Sequence, residues 1–160
     1  MDEEREVSFY DYRYESGVEV VKRFLLDTNI LVFLAGGEMD QLSREVKIII
    51  EDYTNRLETS SVSLIELVQL YRIGKIKLKK GETIETVLNS FGKTIGIYVA
   101  NFTEKHIRAL SCLEVTEGHN DPFDHAIISH AISDRYTLIS SDSKFRHYKN
   151  QSLSFVYNKR

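Results

Sequence analysis

The chain has 160 residues, 21 Lys and Arg against 24 Asp and Glu, a net charge of −3 and 42% hydrophobic residues. That length and composition suit one soluble domain with a real core. They argue against a generally basic nucleic-acid coat, though not against a local basic patch. The single cysteine, Cys112, excludes an internal disulfide and a Cys-based zinc site. No apolar run reaches the length of a membrane span and no signal peptide opens the chain, so the expected location is cytoplasmic.

Residues 1–22 read as an N-terminal extension before a domain spanning 23–160. The extension is acidic, then aromatic (Phe9, Tyr10, Tyr12, Tyr14), and reads either as a partly ordered terminus or as an arm packed on the body or a partner. Arg23-Phe24-Leu25-Leu26 is a short apolar run of the kind covered on both faces of a parallel sheet. It stops at Asp27-Thr28-Asn29, all helix-capping types, and Ile30 to Leu34 follow as a buried helix closed by Gly36-Gly37. Ser43 to about Tyr53 predicts an amphipathic helix with Val46, Ile49, Ile50 and Tyr53 on one side. Leu57 to Ser60 predicts a strand. Ser63-Leu64-Ile65-Glu66 fits a capping box, which would explain Glu66 without chemistry. Glu66, Leu70 and Ile73 also share a face, so this acid heads an apolar stripe.

From Arg72 through Lys80 there is no acid, and Arg72, Lys75, Lys77, Lys79 and Lys80 alternate with Ile76 and Leu78. This basic run reads as solvated surface or as a phosphate contact. Glu82 to Phe91 predicts a helix turning Ile84, Val87, Leu88 and Phe91 inward. Ile95 to Val99 predicts a strand, and Thr103 caps a helix bearing Ile107, Leu110 and Leu113. Asp121-Pro122 is a helix start, Asp as cap and Pro in the first turn. That helix runs to about Asp134, with Asp124, Ile128 and Ala131 on one face. Tyr136 to Ile139 is a strand ending at Ser140-Ser141-Asp142, which starts another helix, and Leu153 to Tyr157 is the last strand. Strands alternate with helices throughout, so the fold class is α/β, a single mostly parallel sheet of about five strands with helices on both faces.

Asp27, Glu66, Asp124 and Asp142 all fall at strand ends or helix starts, which lie along one edge of a parallel sheet, the edge where ligands bind. Each has a capping explanation. Together, acids that head buried stripes on one edge repel one another unless a cation sits among them. Carboxylates and waters are the ligand set of Mg²⁺ or Mn²⁺. His119, His125 and His130 lack a paired i, i+4 arrangement on one face and read as ordinary polar residues, or as residues that support the ligands by hydrogen bonds, instead of zinc ligands.

Four segments carry a resemblance: Leu25-Leu26-Asp27-Thr28-Asn29-Ile30-Leu31, Ser60-x-x-Ser63-x-x-Glu66-Leu67, His119-x-Asp121-Pro122-Phe123-Asp124, and Leu138-Ile139-Ser140-Ser141-Asp142-x-x-Phe145. In order and spacing they resemble PIN-domain nucleases, and most closely the toxin component of bacterial VapBC toxin–antitoxin pairs, over about Arg23 to Tyr157. The resemblance implies a metal-dependent endoribonuclease with catalytic and metal-binding acids at Asp27, Glu66, Asp124 and Asp142. It also implies a homodimer and a tight protein inhibitor, the antitoxin. His125 stands where the family usually has Arg, and Ser141 where a basic residue is common. Residues 1–22 precede the family's usual start.

On this reading Asp27 is a direct or bridging ligand, Asp124 and Asp142 are direct or water-mediated ligands, and Glu66 orients the attacking water. Thr28, Asn29, Ser140 and the cap Asp121 support them by hydrogen bonds. Arg72, Lys75, Lys77 and Lys79 are the candidate RNA contacts. A haloacid-dehalogenase-type phosphatase would need a second acid where Asn29 stands. A receiver domain would need paired acids at the first strand and a late Lys. The non-catalytic alternative is a PIN-like scaffold binding RNA or protein, which would tolerate loss of the acids.

Overall fold

The structure, a computed structural model, describes residues 20–160. The aromatic arm expected of Phe9, Tyr10, Tyr12 and Tyr14 lies outside the described residues. Five short strands, β1 (Arg23–Leu26), β2 (Arg56–Ser60), β3 (Ile97–Ala100), β4 (Thr137–Ser140) and β5 (Ser154–Tyr157), form one sheet in the order β3-β2-β1-β4-β5. Every pairing is parallel. The central strand β1 is covered on both faces, as its unbroken apolar run requires. Phe24 and Leu26 point into a core shared with helices α1 (Thr28–Gly36), α2 (Arg44–Glu51), α3 (Ser61–Arg72) and α4 (Ile84–Ser90). Leu25 points the other way, into a core with α6 (Pro122–Asp134) and the 3₁₀ turns Ser143–Gln151. Helix α5 (Glu104–Ser111) packs beside α6. The α/β class, the parallel five-stranded sheet and the helices on both faces are as the sequence predicts. No helix among the described residues is long and apolar enough to cross a membrane.

Four local expectations are corrected. Helix α3 starts earlier than the Ser63 capping box implies: Ser60 is its cap, accepting from Val62 N, and Ser63 is buried in the first turn. The helix over 82–91 is shorter, capped by Thr83, and the chain continues through a π-helical turn, Phe91–Ile95. That turn uses Ile95, and Gly96 then takes a left-handed conformation (φ 78°) that a side chain would strain, so the strand begins at Ile97 and not Ile95. Tyr53 lies beyond α2 and is fully exposed, and Ile73 ends α3 at 65% exposure, so neither belongs to the stripe assigned to it.

Candidate active site

Between β1 and β4 the strand order reverses, since the chain leaves β1 towards β2 on one side and β4 towards β5 on the other. Loops diverging from such a point open a crevice at the carboxyl ends of the strands. Asp27 follows β1 there and Asp142 follows β4.

Asp27 is 2% exposed and caps α1, Oδ1 accepting from Thr28 N at 2.7 Å. Its Oδ2 accepts from Asn29 Nδ2 at 2.9 Å and from Ser140 Oγ at 2.6 Å. Asn29 is itself held, its Oδ1 accepting from Ser141 N. Burial raises the Asp27 pKa to about 7; the Ser140 bond works against that rise, and the neighbouring Asp124 and Glu66 add to it. Glu66 makes no capping bond. Its carboxylate accepts from the buried Thr28 hydroxyl, and burial raises its pKa despite that bond.

Asp121, not Asp124, caps α6, accepting from Phe123 N at 2.9 Å and Asp124 N at 3.4 Å. Asp124 is thereby free of a backbone role. Its Oδ2 lies 2.8 Å from His119 Nε2. Burial raises its pKa to about 7, and repulsion from Asp121, Asp142 and Glu66 adds to this. Asp142 does cap, accepting from Lys144 N, while its own N–H donates to Ser140 Oγ.

Asp27, Glu66 and Asp124 line a single cavity of about 250 Å³, with Val32, Phe33, Leu70 and Ile76 on its apolar side. Oxygen or nitrogen atoms of Asp124, Asp142 and His119 lie within 4.8 Å of one another, which brings the fourth acid to the same place. The capping explanation thus holds for Asp27 and Asp142 and fails for Glu66 and Asp124. Among the described residues, no Lys or Arg forms a salt bridge with any of the four. Four carboxylates crowded together, none ion-paired to a Lys or Arg and with Lys144 near enough to oppose the rise at Asp124, form a donor set that fits Mg²⁺ or Mn²⁺. Arg72, Lys75, Lys77 and Lys79 are exposed. The intervening Ile76 lines the acid-bearing cavity, so the run passes its mouth.

Two surroundings escaped the sequence reading. His119 is 2% exposed, with Nδ1 3.0 Å from the hydroxyl of Tyr148, itself fully buried. Its position five residues ahead of Asp124 was the available signal; nothing local pointed to Tyr148. His106, which the sequence did not single out, meets His130 and Asp134 where α5 crosses α6, the two rings 3.9 Å apart. In this second group His130 Nδ1 lies 2.9 Å from Ser60 Oγ, and its buried Nε2 has no hydrogen-bond partner among the described residues, 3.6 Å from Asp134 Oδ2. His106 Nδ1 accepts from Thr103 N at 2.8 Å, so its proton sits on Nε2, 3.0 Å from Asp134 Oδ2. A metal ion would have to displace that proton, and Lys105 already neutralises Asp134.

A sequence model of the PIN domain matches residues 24–151. No curated protein matches the chain. Among solved structures, a chain of VapBC2 from Rickettsia felis, described as bound to a DNA fragment from their promoter, is 23% identical. That match has a TM-score of 0.59 and covers 86% of this chain and 99% of that one. A chain of VapBC-1 from nontypeable Haemophilus influenzae is 19% identical with a TM-score of 0.59, covering 86% and 99%. Mycobacterium tuberculosis VapC20, described as a sarcin-ricin loop cleaving toxin, is 14% identical with a TM-score of 0.54, covering 78% and 93%. At these identities the likeness is one of fold.

Proposed function

The chain belongs to the PIN domain family, and from that premise we propose that it is a metal-dependent endoribonuclease, the toxin half of a toxin–antitoxin pair. The observation that carries the reading is the cavity at the β1/β4 crevice, where Asp27, Glu66 and Asp124 meet with no Lys or Arg in a salt bridge to them among the described residues, and Asp142 adjoins them. Structural relatives include chains of VapBC complexes and a toxin described as cleaving the sarcin-ricin loop. On that analogy the protein takes a cognate antitoxin, and the resemblance of its motifs to the toxins of such pairs supports a homodimer working in the cytoplasm.

The residues divide the work. Asp27, Asp124 and Asp142 would hold Mg²⁺ or Mn²⁺, which when bound activates water and neutralises charge developing on the phosphodiester. Thr28, Asn29 and Ser140 keep the Asp27 and Glu66 carboxylates from rotating, because every one of these hydrogen bonds arrives from a packed element. Glu66 is placed to accept a proton from the attacking water, since burial raises its pKa and favours proton uptake. Lys75, Lys77 and Lys79 attract the strand that carries the scissile phosphate, and the apolar side formed by Val32, Phe33, Leu70 and Ile76 receives an unstacked base.

The test is cleavage of single-stranded and looped RNA by the purified chain with Mg²⁺, with Mn²⁺ and with chelator, beside Asp124→Asn. Cleavage that needs the metal and disappears in the variant supports the reading. RNA or antitoxin binding without cleavage under any of these conditions would leave a PIN-like scaffold in its place.

A further inference from the structure

His119 is not accounted for by the four acids or by the hydrogen bonds to Asp27 and Glu66. It precedes the cap of α6 and is 2% exposed, enclosed by Phe145, Tyr148 and His125. The His125 ring meets its backbone carbonyl at 2.7 Å. The Tyr148 hydroxyl oxygen accepts from Thr116 N at 3.3 Å and lies 3.0 Å from His119 Nδ1. On the other side of the ring, Nε2 lies 2.8 Å from Asp124 Oδ2.

These contacts fix the proton's place once Asp124 is ionised, as it is when it holds a cation. The carboxylate then only accepts hydrogen bonds, so Nε2 is the donor. Nδ1 of the neutral ring is then an acceptor, and the Tyr148 hydroxyl is the donor that reaches it. A relay runs Tyr148 O–H to His119 Nδ1, then His119 Nε2–H to Asp124 Oδ2. Oδ1 has no hydrogen-bond partner among the described residues.

We propose that His119 is a positioning residue: by holding Oδ2 it fixes the Asp124 carboxylate plane and presents Oδ1 to the cation. The inference rests on the nuclease reading above. A ligating carboxylate held by a fixed donor binds its ion more tightly than one free to rotate, and loss of such a donor weakens metal affinity roughly 10- to 100-fold.

The experiment is calorimetric titration of Mg²⁺ and, separately, Mn²⁺ into the full chain and into His119→Phe, His119→Gln and Tyr148→Phe, each checked by thermal melting in chelator. His119→Phe keeps a buried ring but loses the donor, and should bind both ions roughly 10- to 100-fold more weakly. His119→Gln places an amide N–H near the Nε2 position and should recover most of that loss, a rescue that mere filling of space would not give. Tyr148→Phe leaves the ring in place but frees its tautomer, and should weaken both ions to a smaller extent. Undiminished binding by His119→Phe would overturn the proposal, as would a glutamine variant no better than phenylalanine. A loss confined to Mn²⁺ would also overturn it, marking a direct nitrogen ligand. Wild-type protein that binds neither ion would sink the nuclease reading itself, a different result from any of these.

Discussion

Ser140 Oγ donates to Asp27 Oδ2 at 2.6 Å, tying the end of β4 to the end of β1 where the strand order reverses. The same oxygen accepts from Asp142 N and from Asn29 Nδ2, each at 3.0 Å. One fully buried hydroxyl therefore sets both the carboxylate of one acid and the backbone of another.

Ser140→Ala is expected to strip the acceptor from two donors and one donor from Asp27. A buried polar group left without a partner costs about 1–3 kcal/mol. Urea unfolding in chelator should show a loss of that order. Asp27 should become harder to ionise, because the Ser140 bond works against the rise in its pKa. More Mg²⁺ or Mn²⁺ should then be needed for half-maximal cleavage. Unfolding and metal dependence both unchanged would mean that water substitutes for the hydroxyl.

Lys75, Lys77 and Lys79 lie in the acid-free run beside Ile76. Changing all three to Ala should weaken RNA binding and reduce the slope of log K against log salt by about 0.7 for each single-strand phosphate that is no longer neutralised. A small stability loss should come with it, because the Lys79 stem crosses Gly37 so closely that a Cβ there would meet its Cε at 2.6 Å. Binding measured at several salt concentrations decides the matter, and an unaltered slope returns the run to plain solvated surface.

The sheet and the four acids were legible because short apolar runs ending in Asp or Ser signal buried parallel strands and the edge where they stop. Asp27 and Asp142 were placed by the same signals that place their caps. Glu66 was legible as a site residue through its face on α3 and its motif, while the local capping-box pattern misled: Ser60 caps one turn earlier. His119 was legible as a residue that could support the acids, five positions ahead of Asp124, but its contact with Tyr148 and that of His106 with Asp134 were not. Those partners lie 29 and 28 residues away, and no spacing pattern encodes pairings made by tertiary packing. The π-helical turn at Phe91–Ile95 hid for another reason, because Ile95-Gly96-Ile97 has strand composition and only packing decides where the turn closes.

The clamp between α5 and α6 gives an acid-side prediction. His130 is fully buried and lowered to about 4, first by burial and then by the adjacent His106, while Asp134 and Glu58 pull the other way and Lys105 adds to the lowering. In the unfolded chain it titrates near 6.5. Between those values the unfolded state binds a proton that the fold refuses, so this contribution to stability falls as pH drops from about 6.5 to 4. His130→Asn keeps a hydrogen-bonding group towards Ser60 but no longer titrates. It should be less stable throughout, since Phe102 and Tyr136 pack on the ring that the variant lacks. Its stability should nevertheless fall less steeply than that of the wild type over this window. Parallel curves for the two proteins would refute the assignment.

The acid cluster pulls in the opposite direction. Asp27 and Asp124 are each raised to about 7, mainly by burial. Between their unfolded value of about 4 and that figure, the fold retains protons that the unfolded chain releases, so the metal-free protein loses stability as pH rises through this range. Asp124→Asn removes one of these groups and its repulsion of Asp27, while the amide oxygen can still accept from His119. Since Asp121 is the cap of α6, no capping bond is lost. The variant should therefore lack cleavage yet melt at or above the wild type in chelator at about pH 7.5, above both raised values, with a shallower pH dependence. Adding Mg²⁺ or Mn²⁺ at a hundred times its dissociation constant should stabilise the wild type by about 2.7 kcal/mol through binding to the folded state. The variant should gain much less. An Asp124→Asn protein that melts far below the wild type in chelator would show that the carboxylate is chiefly structural, its bond to His119 holding the loop ahead of α6 instead of a metal ligand.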